Sequence, residues 1–317
     1  MPETAIVGCV VLFFIGVMLL ISYICFHKTF YSPPRDKKKK DDLSVRRVSH
    51  VLQPFYSVMG AWKKQVKELP CKEVSITSFD GLKLVGKYYE YEKGAPVEIF
   101  FHGYRGSAER DMDGGVIRCL SHGRNALAVD HRASGKSEGR VITFGVNESR
   151  DCLAWVDFVI NSIDKDAKII LTGISMGAAT VMIASGNENL PKNVVAVLAD
   201  CGYTSQKEII MNTMKDMKLP PRLLYPFVKL GGRIYGHFDI DEASPIESVA
   251  KAKVPIIFIH GDTDDFVPHE MGVRNYEACV SEKRFVSIEG AGHAAAFLVD
   301  SEKYLAEIES FFEPLLK

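Results

Sequence analysis

Three stretches of the chain hold side chains able to do covalent chemistry. Gly173-Ile174-Ser175-Met176-Gly177 puts a serine between two glycines, directly after the short apolar run Lys168–Thr172 and ahead of a helical pattern from Gly177 to Ala184. A serine on a sharp strand-to-helix turn has its oxygen lifted above the sheet, and the flanking glycines leave room for a tight backbone and an approaching substrate. Serine is not nucleophilic at neutral pH, so chemistry there requires a base and a group that orients the base. Candidates for both lie downstream. His260-Gly261-Asp262-Thr263-Asp264-Asp265-Phe266-Val267-Pro268 begins at the end of an apolar run, and Gly290-Ala291-Gly292-His293 follows the next one. The order is serine, carboxylate, histidine, with Asp264, its neighbour Asp265 and the more distant Asp200 as candidates for the carboxylate.

The elements needed to position these groups can be read from the hydrophobic pattern. Val74–Ser78 and Leu82–Tyr91 form a hairpin turned at Asp80-Gly81. After it, short apolar runs at Val97–Phe101, Ala126–Val129, Lys168–Thr172, Val194–Ala199, Pro255–Ile259 and Arg284–Ile288 alternate with helical patterns, the clearest at Ser149–Ile163 and Glu302–Phe312. Strands that are apolar throughout are buried on both faces, which predicts a mostly parallel sheet with helices on each side, an α/β fold. Sites in such sheets form beyond the carboxyl ends of the strands, where all three stretches fall. The connection from Asp200 to Pro255 is long and lacks a strand, which predicts a small helical cap at about 203–250. Within it Tyr203, Met214, Tyr225, Phe227 and Tyr235 are candidates to line an apolar pocket.

Composition narrows the function classes. The chain has 317 residues, 47% apolar and 25% charged, with 39 Lys plus Arg against 40 Asp plus Glu and a net charge of -1. No excess of positive charge prepares a surface for nucleic acid. Gly135-Lys136-Ser137 imitates the end of a phosphate-binding loop, but Asp130 stands where that loop needs glycine, so no nucleotide is expected. H-E-x-x-H, C-x-x-C and clustered ligands are missing, so neither metal nor other cofactor is expected. The seven cysteines show no disulfide framework and fit a reducing compartment.

The first stretch reads differently. Ala5 to Phe26 carries no charged side chain and is long enough to cross a bilayer as one helix. It lacks the basic leader and the small-x-small site of a cleaved signal. Lys28, Arg35 and Lys37–Lys40 crowd its C-terminal flank, which predicts a cytoplasmic body. The expected organisation is a transmembrane anchor at 1–28, a basic linker and helical connector at 29–66, and a catalytic body at 67–317.

From about Lys67 onward the chain resembles the α/β-hydrolases: His102-Gly103 before the first helix, G-x-S-x-G, H-G-x-x-D-x-x-V-P and G-x-G-H stand in that family's order. It is most similar to membrane-anchored bacterial hydrolases grouped with the esterase and prolyl-oligopeptidase-like branches. The resemblance implies an α/β-hydrolase fold with Ser175 as nucleophile, His293 as general base and then acid, and Asp264 as the orienting carboxylate. It also implies an oxyanion hole from the backbone N–H groups of Tyr104 and Met176, and a bracing, non-catalytic role for His102. Asp130-His131-Arg132-Ala133-Ser134-Gly135-Lys136-Ser137 resembles the family's D-x-R-G-x-G-x-S turn, with Ala133 in place of glycine. The expected activity is hydrolysis of carboxylic esters with small or aromatic acyl groups. Peptide hydrolysis, thioester or lipid acyl cleavage by the same groups, and a non-catalytic binding module on this fold are the alternatives.

Overall fold

The computed structural model describes residues 3–33 and 49–317. The basic run Lys37–Lys40 and the apolar positions Leu43, Val45 and Val48 lie outside the described residues. Eight strands form one sheet: β1 (Lys72–Thr77), β2 (Lys83–Tyr89), β3 (Val97–Phe101), β4 (Asn125–Val129), β5 (Ile169–Ile174), β6 (Val194–Asp200), β7 (Ile256–Gly261) and β8 (Lys283–Ile288). Their order is β1-β2-β4-β3-β5-β6-β7-β8. The hairpin β1–β2 joins β4 antiparallel, and every pairing from β4 to β8 is parallel. Gly81, at φ +86°, makes the hairpin turn.

Nine helices of eight residues or more are described. They are α1 (Glu3–Thr29), α2 (Tyr56–Glu68), α3 (Asp113–Ser121), α4 (Val146–Phe158), α5 (Met176–Ser185), α6 (Gln206–Asp216), α7 (Pro221–Tyr235), α8 (His269–Ala278) and α9 (Ser301–Leu316). Successive strand residues point to opposite faces, and the core divides accordingly. Ile99, Leu127, Leu171 and Val197 pack with Trp155 and Val156 of α4 and Val181 and Met182 of α5. On the other face Phe100 and Ala128 meet Val116 of α3, while Ile170, Leu198 and Ile257 meet Tyr304, Ile308 and Phe312 of α9.

One charge lies in the middle of the sheet. Glu98 of β3 is fully buried and pairs with Arg118, accepts from Thr172 Oγ1 at 2.6 Å and has Arg124 Nε 3.4 Å from its second oxygen. Arg124 in turn grips Glu309 of α9 with two hydrogen bonds of 2.7 and 2.6 Å. Burial works against the Glu98 carboxylate, but the two guanidinium charges outweigh it and hold it below the usual range.

The expected separation of anchor from body is corrected by the structure. The apolar helix continues to Thr29, and from Leu19 onward it packs along α7. Ser22, Phe26 and Phe30 are buried. At Gly231 of α7 a Cβ would stand 2.4 Å from the Ser22 carbonyl oxygen, so the two helices touch backbone to backbone. After α1 the chain pairs with the body: Ser32 N–H donates to Arg140 O at 2.9 Å and Ile142 N–H donates to Phe30 O at 2.9 Å. The connector is helical where described, through Ser49–Leu52, Gln53–Phe55 and α2.

Candidate active site

Ser175 sits between β5 and α5 at φ +57° and ψ −114°, a conformation that costs an L-residue energy and persists only where the surroundings impose it. Its N–H donates to Asp200 O at 2.8 Å. The flanking glycines are steric requirements: a Cβ at Gly173 would lie 2.1 Å from Gly177 O, and one at Gly177 would lie 1.9 Å from Phe101 O.

The loops after β7 and β8 bring the other two groups to this turn. His293 Nε2 lies 2.9 Å from Ser175 Oγ, and His293 Nδ1 lies 2.7 Å from Asp264 Oδ2. All three residues are buried, Ser175 at 8% exposure. The second oxygen of Asp264 accepts the N–H groups of Phe266 and Val267 at 3.0 and 2.9 Å. Burial opposes the Asp264 carboxylate, yet the bonds and charges of His260 and His293 outweigh it and keep it well below the usual range. Asp262 and Asp265 are exposed, and Asp262 accepts Gly290 N–H at 2.7 Å, tying the two loops together. Asp200 is buried beneath the site. Burial pushes its carboxyl up to about 6 even though Tyr304 donates to it at 3.1 Å, and its other oxygen has no partner among the described residues.

Three neighbours escaped the sequence reading. His260 donates to Val267 O at 2.9 Å and braces the Asp264 turn. Phe266 meets the His293 ring edge-on at 4.9 Å. Cys201, at φ +47°, places its buried sulfur with Asp264 and His293 in one cluster. Two of those potential metal donors are already bonded to each other, and burial pushes the Cys201 thiol up, so it stays protonated. The only available signal for Cys201 was its place just past the carboxyl end of β6.

The His102-Gly103-Tyr104 loop passes over the serine. A Cβ at Gly103 would be 3.5 Å from Ser175 Cβ. His102 bridges the loop, contacting Gly103 O at 2.8 Å through Nδ1 and accepting His131 N–H at 3.0 Å through Nε2. Met176 N–H lies at the first position of α5, where helices leave donors free. The Tyr104 side chain reaches elsewhere: its hydroxyl donates to Thr29 O of α1 at 2.7 Å. Arg105 caps the same helix end, donating to Lys28 O and Tyr31 O at 3.1 Å each.

The expected apolar pocket needs correction. Tyr203, Met214 and Tyr225 are buried in one cluster with Met176, but Phe26 and Phe30 of α1 fill it. The Tyr203 hydroxyl donates to Phe144 O at 2.9 Å and that of Tyr225 to Asp241 at 2.8 Å. Tyr235 is engaged by α1, donating to Leu19 O at 3.1 Å and stacking near Tyr23 and Phe26. Phe227 is half-buried on α7. A cavity of about 360 Å³ lies between Val51 and Phe55 and the loops of Thr263, Asp265 and Gly292; Ser175, Met176 and Tyr104 are not among its walls.

A mostly parallel sheet with helices on both faces and a serine on a strained strand-to-helix turn define an α/β hydrolase. The model of the prolyl oligopeptidase family matches residues 142–317, more than half of the chain, and the protein belongs to that family. Among curated relatives, YqkD of Bacillus subtilis (strain 168) is 27% identical over 195 residues, 61% of this chain and just under two thirds (64%) of YqkD. Rv2307c of Mycobacterium tuberculosis (strain H37Rv) is 27% identical over 244 residues, 76% of this chain and 78% of the relative. Among solved structures, the Pyrococcus furiosus esterase Pf2001 superposes with a TM-score of 0.66 at 25% identity, over 91% of this chain and 99% of the esterase.

Proposed function

We propose that this protein is a membrane-anchored serine hydrolase that cleaves carboxylic esters through an acyl-enzyme. The observation that carries this reading is the continuous hydrogen-bonded chain from Ser175 through His293 to Asp264. His293 takes the proton of Ser175 Oγ as that oxygen attacks the ester carbonyl, and Asp264 holds the ring and offsets the imidazolium charge. The oxyanion is received by the N–H groups of Tyr104 and Met176. The C–O bond then breaks, His293 returns the proton to the departing alcohol, and water repeats the sequence to free the acid. Esterase character is favoured by the likeness to Pf2001 over nearly the whole of that enzyme.

The apolar helix Ile6–Thr29, with a mean hydropathy of 2.8 over an 18-residue stretch, is long enough to span a bilayer. Its retention as an anchor is supported by Phe30, which is fully buried in the body and would be lost with a cleaved leader. The basic residues that follow favour a cytoplasmic body.

The test is labelling of the full chain in detergent with a fluorophosphonate probe beside its Ser175→Ala variant, followed by ester, thioester and peptide substrates. Labelling lost in the variant, with esters turned over fastest, supports the reading. Faster peptide cleavage moves the assignment to a peptidase, and no labelling of the folded chain leaves a binding module.

A further inference from the structure

We propose that the substrate is a long-chain acyl ester resident in the bilayer, with the ester carried to Ser175 along α1. This rests on the serine-hydrolase reading above. Glu3 is charged and marks the far edge of the apolar stretch, and from there to Met18 the free part of α1 rises only about 24 Å, whereas the hydrocarbon core is about 30 Å thick. About four more residues must therefore enter the bilayer, and these are the ones the cap clasps, beginning at Leu19 with the Tyr235 hydroxyl. Tilt only increases the shortfall. The end of α7 is thus held at the lipid headgroups. The residues around that level suit it: Tyr23 and Ile234 are exposed, and His27, Lys28, Arg233 and His237 stand exposed around them. Thr29, one to two turns further along α1, is where Tyr104 is hydrogen-bonded. The proposed oxyanion donor is therefore fixed to a helix that emerges from the membrane within roughly 10 Å of the hydrocarbon edge.

An aromatic row runs from α1 to Tyr104, in the same apolar cluster as Met176 beside the serine. Phe26 contacts Phe30 at 6.2 Å, Phe30 contacts Phe144 at 5.9 Å, and Phe144 contacts Tyr104 at 5.0 Å between ring centroids. An acyl chain rising along α1 meets apolar surface the whole way, so its transfer out of the bilayer carries little hydrophobic penalty. A polar or peptide substrate gains nothing from such a lining. Phe144 is also a backbone outlier at φ +53°, held there by Tyr203 and Gln206 donating to its carbonyl at 2.9 and 3.1 Å. Strain of this kind at a bulky residue gathers where a ligand must be admitted. The row is closed in this structure, and an acyl chain enters from its α1 end as the Phe26 ring swings aside, sliding along the fixed Phe30.

The experiment uses the full chain in phosphatidylcholine vesicles with p-nitrophenyl esters from acetyl to stearoyl. Turnover is read as kcat at saturation, so that partitioning does not enter. The expected result is a kcat at least about tenfold higher for the stearoyl than for the acetyl ester. In parallel, an indole introduced by Ile234→Trp, measured against the unchanged background of Trp62 and Trp155, should be quenched by phospholipid brominated near the glycerol end of its acyl chains. Fluorophosphonate labelling of Ser175 in the same vesicles separates the two ways of failing. Labelling with a flat or falling chain-length profile overturns the lipid assignment and leaves the serine hydrolase standing. An unquenched indole overturns the placement of the cap and with it the route. Absence of labelling removes the hydrolase reading and the lipid substrate together.

Discussion

Asp264 and Asp200 both lie at the ends of strands beside His293, and their environments separate them. Asp264 has both oxygens engaged, by His293 and by two N–H groups, while Asp200 keeps one oxygen bare. Asp264→Asn should lower kcat by about 10³–10⁴, because an amide cannot hold the imidazole in the required tautomer or offset its charge. Asp200→Asn should leave kcat within a few-fold, and steady-state kinetics on one ester compares the two. Asp200 also predicts a pH effect. Its folded-state value of about 6 lies above the ordinary 3.8, so the fold prefers the protonated carboxyl. The contribution of Asp200 to stability is greatest below about pH 4, falls as pH rises through 4 to 6 and stays lower above. Asp200→Asn should therefore raise neutral-pH stability by on the order of 2 kcal/mol and flatten denaturant midpoints across that window. Ala133, at φ +59°, stands in a conformation suited to glycine. Ala133→Gly should add about 0.5–1 kcal/mol in urea unfolding without changing activity. Ser175, Asp264 and His293 were legible because the motifs that hold them are contiguous. Cys201 and Phe266 were not, because their place beside His293 follows from loop conformations that local sequence does not encode.

The sheet was legible for a different reason. Six of its strands are short apolar runs between helical patterns, and the structure places their ends within two residues of where the pattern does. Glu98 was hidden by that regularity, since one acid in an apolar run says nothing of its partners. Arg118 lies on α3 and Arg124 just before β4, and both meet Glu98 only after those elements dock on β3. The cluster is a clasp among β3, β5, α3 and α9. Glu98→Gln leaves the buried Arg118 guanidinium without a counter-charge, while Arg124 keeps Glu309, and should cost about 3–5 kcal/mol, measured by urea unfolding. A Glu98→Gln, Arg118→Met double variant should recover part of that loss, because the stranded charge is gone and most of its volume is kept. If both variants unfold at the same urea concentration as the parent, the clasp contributes no net stability.

At the scale of the whole molecule, hydropathy marked α1 as long and apolar enough to cross a membrane but could not divide it. Lipid and protein interior both select apolar side chains, so the exposed Leu12 and Phe13 look the same in the sequence as Phe26 and Phe30, which are core. What separates them is Gly231 on a helix two hundred residues later, whose missing side chain lets α7 close on Ser22. The consequence is that the helix is part of the fold as well as the proposed anchor. Phe30 is fully buried against Phe144 and Phe238, and Phe30→Ala should cost about 3–5 kcal/mol. Removing everything before Pro33 takes away Phe26 and Phe30 together, the capping of α1 by Arg105 and the Tyr104 bond to Thr29. That truncation should therefore do more than release the protein from membranes. Its cap should bind a hydrophobic dye that the full chain in detergent does not, and its kcat on a short soluble ester should fall at least tenfold as the Tyr104 loop loses its fixed position. A truncated chain with the parent's kcat and no dye binding would mean that α1 is only a tether.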